Sequence, residues 1–399
     1  MISRATTSDW PSTVRGLYFT AMAVFLVTIA IGILNGSDAV DFNHDQILTH
    51  VHSGTLGWIT LTIVAATAWL ARGIDRRLAV GLAAIIPIYV AAFYLANPVL
   101  REVVGGILLV LIVWLVVWAW QVAGARTLPT LAVALGLTTF TYGAVIGVIR
   151  QVQLAGNAVP LPANADIVGA HASAMVFSYL ILVAMGLLEW RILGTTDRPR
   201  AAIAQVALLF AGGVIISGTL LFLSQDAVQA AGGLYLLVEL IAVVIFAIRI
   251  LPTALRSTWS DGTAGRHLAT SAAFVVIATV IFLVVIARFI ANPGIAATDT
   301  GIIGLLTASD HAAFIGVITN LMLGLLFLLT ADRPMRWPWA GGAIYWGVNV
   351  GLVVFLAGLI LDQVALKRIG APLMGVALLL GLAVLADRLR GSSLAVAES

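Results

Sequence analysis

Four histidines hold the side chains best suited to chemistry in this chain. His50 and His52 lie in the stretch Leu48-Thr-His-Val-His-Ser-Gly-Thr-Leu-Gly-Trp58, and His171 and His311 stand near the starts of two later apolar runs. Imidazole is well suited to axial ligation of haem iron, and such ligands are commonly held by helices that flank the porphyrin. Small residues follow the histidines: Ser53, Gly54 and Gly57 in the first stretch, Ala312, Ala313 and Gly316 in the last. They would let a flat macrocycle come close to the helix. His50 and His52 are two residues apart and so project about 200° from one another on a helix. One of them faces the bundle axis and the other needs a different partner. A single histidine near a helix end is also an ordinary interfacial residue, and His44 and His267 are read that way, as solvated loop residues.

Elements long and apolar enough to cross a bilayer must position these side chains. Of the 399 residues, 61% are hydrophobic and 10% are charged, and the mean hydropathy is +1.08. One soluble core cannot hide that much apolar surface, so most of it meets lipid. The absence of cysteine excludes disulfides, thiolate metal sites, iron–sulfur clusters and covalent c-type haem. A net charge of +3 gives no argument for nucleic acid. The first apolar run has no clear cleavage pattern after it and reads as a retained span.

Spans of about 20 residues are expected at 14–34, 47–71, 78–97, 102–121, 128–149, 167–190, 201–223, 231–250, 269–291, 308–330, 340–361 and 371–387. Their boundaries follow punctuation such as Asn97-Pro98, Thr127-Leu-Pro129, Arg198-Pro199 and Asn292-Pro293. If the N-terminus is cytoplasmic, only Arg101, Arg150, Arg288, Lys367 and Arg368 of the 21 basic residues fall outside. Arg4, Arg126 and Arg198 are among those inside. Both termini are therefore expected inside. The fold expected is an all-α integral membrane protein of twelve transmembrane helices in a single membrane domain.

With that orientation His52, His171 and His311 each lie at the outer end of spans 2, 6 and 10, which are four apart. Each begins a stretch that runs from small residues into bulky apolar ones. Three four-helix repeats, about 14–121, 128–250 and 269–387, suggest three pseudo-symmetric arcs. Ionisable side chains within membrane spans are costly and commonly mark function.

At these histidines the chain resembles the catalytic subunits of haem-copper oxidases and nitric-oxide reductases. The resemblance covers the whole span plan, but similarity of motif is confined to the histidine stretches. It implies twelve helices in three arcs, with haem ligands at the outer ends of spans 2 and 10. His52 matches the span 2 ligand of a low-spin haem b. The family's His-x-His of span 10 reads Ser309-Asp310-His311 here. His311 thus keeps the low-spin ligand, and Ser309 replaces the high-spin one. The family's span 7 histidine pair is missing between Ala201 and Leu223. The resemblance therefore implies one bis-histidine haem b without the usual copper centre, and redox chemistry or electron transfer with nitric oxide as the leading substrate. His171 and His50 are candidates for a second haem or a copper ion. Arg150, Arg288 and Arg101 are outer-side cations for haem propionates, or interfacial anchors. The setting implied is a bacterial or archaeal cytoplasmic membrane, with a redox partner on the outer face, partner subunits or a homo-oligomer.

Asp45, Asp166 and Asp310 could orient an imidazole through its second nitrogen, or serve helix N-termini. Glu239, midway along span 8, is the carboxylate deepest in a span and a candidate proton relay. Asn320 and Asn349 suit interhelical hydrogen bonds, and the tryptophans at 114, 118, 120, 337, 339 and 346 suit lipid-facing or interfacial belts. The residues assign no catalytic group. Two other readings stand beside the enzyme: a non-catalytic haem-binding subunit or sensor, and a secondary transporter. The second rests on the twelve-span plan and on Arg72-Gly-Ile-Asp75-Arg76-Arg77, which resembles a major-facilitator loop.

Overall fold

A computed structural model describes residues 10–123, 127–194, 199–223, 225–256, 258–292 and 299–394. Arg4, Arg126, Arg198 and Pro293, used above for orientation and boundaries, lie outside the described residues. Among those described, every element is helical, and twelve helices are long and apolar enough to cross a membrane. The chain is thus an all-helical, multi-pass membrane protein whose solvent is a lipid bilayer.

The spans are Trp10–Gly36, His44–Ala71, Arg76–Tyr94, Pro98–Gln121, Leu128–Leu154 and Ile167–Leu193 in the first half. The second half has Arg200–Phe222, Gln225–Arg256, Gly262–Ala291, Thr300–Leu329, Ala340–Ile360 and Val364–Gly391. Their starts follow local chemistry. Asn43 caps span 2 in a reciprocal box with Gln46, Asn97 caps span 4 ahead of Pro98, and Thr127 pairs with Thr130 at span 5. Asp166 and Asp299 cap spans 6 and 10. Spans 2 and 10 begin about one and two turns before the expected starts, where Asn43 and Asp299 cap them.

Spans 2, 6 and 10 are interior helices, with 78, 72 and 89% of their apolar windows buried, against 33–56% for the other nine. Span 4 shows the outer kind of helix. Val103, Ile107, Val110, Trp114 and Val117 form an exposed stripe along it, the helical spacing of a face turned to lipid. Trp120 is exposed as expected, while Trp118 is buried.

The chain divides into two compact units. The first holds residues 1–96, 256–271 and 314–399, that is spans 1–3, 11 and 12 with parts of spans 9 and 10. Spans 11 and 12 pack closely in it: a Cβ at Gly351 would come within 2.5 Å of the Met374 nitrogen and one at Gly370 within 2.5 Å of the Phe355 nitrogen. Only glycine allows backbones that close. The second unit holds residues 97–255 and 272–313, with spans 4–8 and the remaining parts of spans 9 and 10.

Candidate functional site

Spans 2, 6 and 10, which carry His50, His52, His171 and His311, share one irregular device. A π-helical run interrupts each: Ser53–Thr60 on span 2, Ala174–Leu180 on span 6 and Ala312–Thr319 on span 10. Wide turns of this kind are uncommon and cluster at functional sites. They leave carbonyls off the regular ladder, which lipid cannot hydrate. Side chains meet that need: Thr60 donates to Thr55 O at 2.9 Å, Thr319 to Phe314 O at 2.8 Å, and Asn320 Nδ2 to Ile315 O and Gly316 O.

His52 and His311 stand immediately before their π runs. The Nδ1 of His52 lies 2.8 Å from Leu48 O, and that of His311 lies 2.8 Å from Thr307 O. A carbonyl only accepts, so Nδ1 carries the proton and Nε2 the lone pair. That is the tautomer of a ligating imidazole. The His52 ring lies parallel to Phe93 at 3.8 Å and edge-on to Tyr89 at 6.3 Å, so span 3 fixes its plane.

His50 and His171 form a second kind of site, each held by a neighbouring helix. His50 Nδ1 donates to Thr28 O of span 1 at 2.9 Å, and His171 Nδ1 to Gly143 O of span 5 at 2.8 Å. Four residues beyond each carbonyl a glycine leaves room for the ring. A Cβ at Gly32 would come within 3.0 Å of His50 Cε1, and one at Gly147 within 2.8 Å of His171 Cε1. Three residues before each carbonyl a phenylalanine stacks on an aromatic ring of the π run, Phe25 on Trp58 at 4.6 Å and Phe140 on Tyr179 at 4.5 Å. Two helical hairpins, one in each unit, are therefore built to the same plan.

This plan corrects the alignment expected from sequence. His171 stands three residues before its π run, as His50 does, so it corresponds to His50 and not to His52. By the same register His311 corresponds to His52, and Ser309 to His50 and His171. Distance from the helix start hides the relation. At about 1.5 Å per residue, His171 lies roughly 6 Å from the start of its helix and His311 roughly 16 Å, because the stretch between cap and histidine differs in length.

Other expectations also change. Gly57 does not clear space for a macrocycle: a Cβ there would come within 2.1 Å of Val24 Cγ1, and one at Gly54 within 3.2 Å of Thr28. Ser53 is buried and bonded to Thr28 at 2.7 Å, and Ala312 and Ala313 are fully buried. These small residues serve close packing. Asp45, Asp166 and Asp310 do not hold the histidines through Nδ1, since backbone carbonyls occupy that nitrogen in all four. Asp166 instead caps span 6, accepting from Gly169 N at 2.8 Å. Arg150 bonds Gln153, and Arg288 approaches the start of span 10 near Gly301.

His267 is not a solvated loop residue. It is 0% exposed, and its Nδ1 meets Asn320 Oδ1 at 2.7 Å. Asn320 also pairs with Asn349 at 2.9 Å, the interhelical contact expected of the two asparagines. Tyr345, which bonds Thr270 at 2.8 Å, lies edge-on to the His267 ring. Sequence reasoning also missed the buried ion pair of Glu189 with Arg249, which Gln205 joins at 3.0 Å. Residues 40–60 positions apart leave no local signal. Among the described residues no group of three or more His, Asp or Glu side chains is arranged to hold a metal ion.

Compared with known proteins, the chain matches no family model and no curated protein sequence.

Proposed function

We propose that the chain binds b-type haem through His52 and His311 on a scaffold of the haem-copper oxidase kind. The haem would serve electron transfer or redox chemistry on a small molecule, nitric oxide foremost, near the outer face. One observation carries this reading: both imidazoles donate Nδ1–H to their own helix and so keep the lone pair at Nε2, directly before the π turn of a deeply buried span. The recurrence of that turn on spans 2, 6 and 10 supports three arcs of four helices, and the basic-residue asymmetry supports termini inside. When bound, haem supplies an iron couple whose potential follows its axial ligands and burial. The chain's part is to fix the imidazole planes and tautomers. His50 and His171, with the same tautomer, are the candidate ligands of a second haem or a copper ion, and Arg150 and Arg288 the candidate partners of propionates.

A second reading, a haem-binding subunit or sensor without catalysis of its own, draws support from Ser309. It stands where the resembling family carries its high-spin ligand, and its hydroxyl is bonded to Leu306 O at 2.8 Å. An absorption spectrum tests both. The purified protein should show a reduced b-type band that disappears in His52→Ala and in His311→Ala. A colourless protein from haem-replete cells overturns the haem reading. Carbon monoxide should shift the band little, and a large shift would point to an open iron and favour catalysis.

A further inference from the structure

The second unit contains a polar cluster that the haem reading leaves unused. Glu239 stands 14 residues after Gln225 and 17 before Arg256, in the middle of span 8. It is 0% exposed, and neither carboxyl oxygen has a hydrogen-bond partner. Tyr235, one turn earlier on the same helix face, is also fully buried with an unpartnered hydroxyl. Its ring lies edge-on to Phe282 of span 9 at 6.0 Å.

Span 7 meets this face with Gly212. A Cβ there would sit 3.4 Å from Glu239 Oε2 and 3.5 Å from the Tyr235 ring, so any longer side chain would occupy the space over both. The next residue, Gly213, faces span 6, where Ser178 is buried with an unpartnered hydroxyl. Glu239 and Tyr235 thus lie over Gly212, Ser178 packs on the neighbouring Gly213, and no cation among the described residues pairs with the carboxyl.

We propose that this cluster is a proton-exchange site: internal water reaches the buried carboxyl beside Gly212, and Glu239 holds one exchangeable proton there. An unpaired carboxylate in this apolar setting is strongly disfavoured, so the group is carried as the neutral acid. A neutral acid, a phenol and a hydroxyl still need hydrogen-bond partners. Water with two to four polar contacts is the ordinary way to satisfy such groups. Among the described residues Tyr235 is the other titratable group at the site and keeps its proton, so it acts as a donor to that water. Phe282, Gly212 and Gly213 contribute no charge. The ligand is a hydron, delivered and withdrawn through water, and the site does not depend on whether haem binds.

Infrared spectroscopy of the whole protein, labelled with 13C-glutamate, tests this directly. A neutral-glutamic-acid carbonyl band should be present at neutral pH, move on transfer to D2O, and vanish in Glu239→Gln. In Tyr235→Phe the band should remain and change frequency, since its water loses a donor. Absence of a neutral glutamic acid band, or a band that ignores prolonged D2O, overturns the proposal. Loss of the band on adding Na+ or K+ at fixed pH also overturns it, because the site would then take a metal cation. Should Glu239→Gln fail to fold, the labelled native protein and Tyr235→Phe still decide.

Discussion

At His50 and His171 a ring is positioned by what a neighbouring helix lacks as much as by what it offers. The carbonyl of Gly143 fixes the His171 tautomer, and Gly147 gives the ring its place. In Gly147→Ala the new Cβ would stand 2.8 Å from Cε1 and 3.0 Å from Nδ1, so the ring must leave its carbonyl. We expect a loss of about 1–3 kcal/mol, the usual range for overpacking. Denaturation of detergent-solubilised protein would measure it. In a His171→Ala background the same glycine change should cost little, which separates ring displacement from a general dislike of alanine at that position. Gly32→Ala should show the same pattern against His50 more mildly, because the approach there is 3.0 Å.

At the scale of the element, the π run of span 10 is held open by Asn320. Its amide nitrogen serves the Ile315 and Gly316 carbonyls and its oxygen accepts from His267, so the flip of the amide and the tautomer of His267 are decided together. Asn320→Leu should leave those carbonyls, His267 Nδ1 and part of the Asn349 amide without partners, at about 1–3 kcal/mol per buried group. The expected readouts are a lower melting temperature and faster amide exchange across residues 312–320. Thr60→Val removes the hydroxyl bond to Thr55 O on span 2 and should cost about 1 kcal/mol. Equal effects for the two variants would contradict the assignment of Asn320 as the keystone of its turn.

At the scale of the molecule, the first unit fastens the far end of the chain to its beginning. Arg15 of span 1 donates to Ser392 O at 2.7 Å, and Arg388 donates to Thr330 O at 2.6 Å. Asp332, in the loop after span 10, accepts from Ser392 Oγ, Ser393 N and Ser393 Oγ. These donors hold its carboxyl below the ordinary 3.8, the Ser392 hydroxyl contributing most. A lowered acid favours the docked tail above that ordinary value and loses its effect as pH falls through the lowered one. Limited proteolysis near residue 392 should therefore be unchanged from neutral pH down to about 4 and rise below it. Asp332→Ala should release the tail at every pH, and a tail equally protected in that variant would sink the latch.

Much of this protein was legible in its sequence. Twelve spans follow from hydropathy because lipid demands a long apolar helix, and the boundaries at Asn97 and Thr127 and the cap at Asp166 follow from side chains that serve their own backbone. The four histidines of spans 2, 6 and 10 could be named for the same local reason. Their grouping could not. Whether His171 resembles His50 or His52 depends on a carbonyl and a glycine of another helix, Gly143 and Gly147, and on where a π turn begins. The burial of His267, the Glu189–Arg249 pair and the cluster around Gly212 likewise join residues far apart in the chain. Hydropathy and caps act within a turn or two of the residue that sets them, so sequence determines the spans. Tautomers, partners and empty spaces are set by whichever helix packs alongside, and only the tertiary structure decides those.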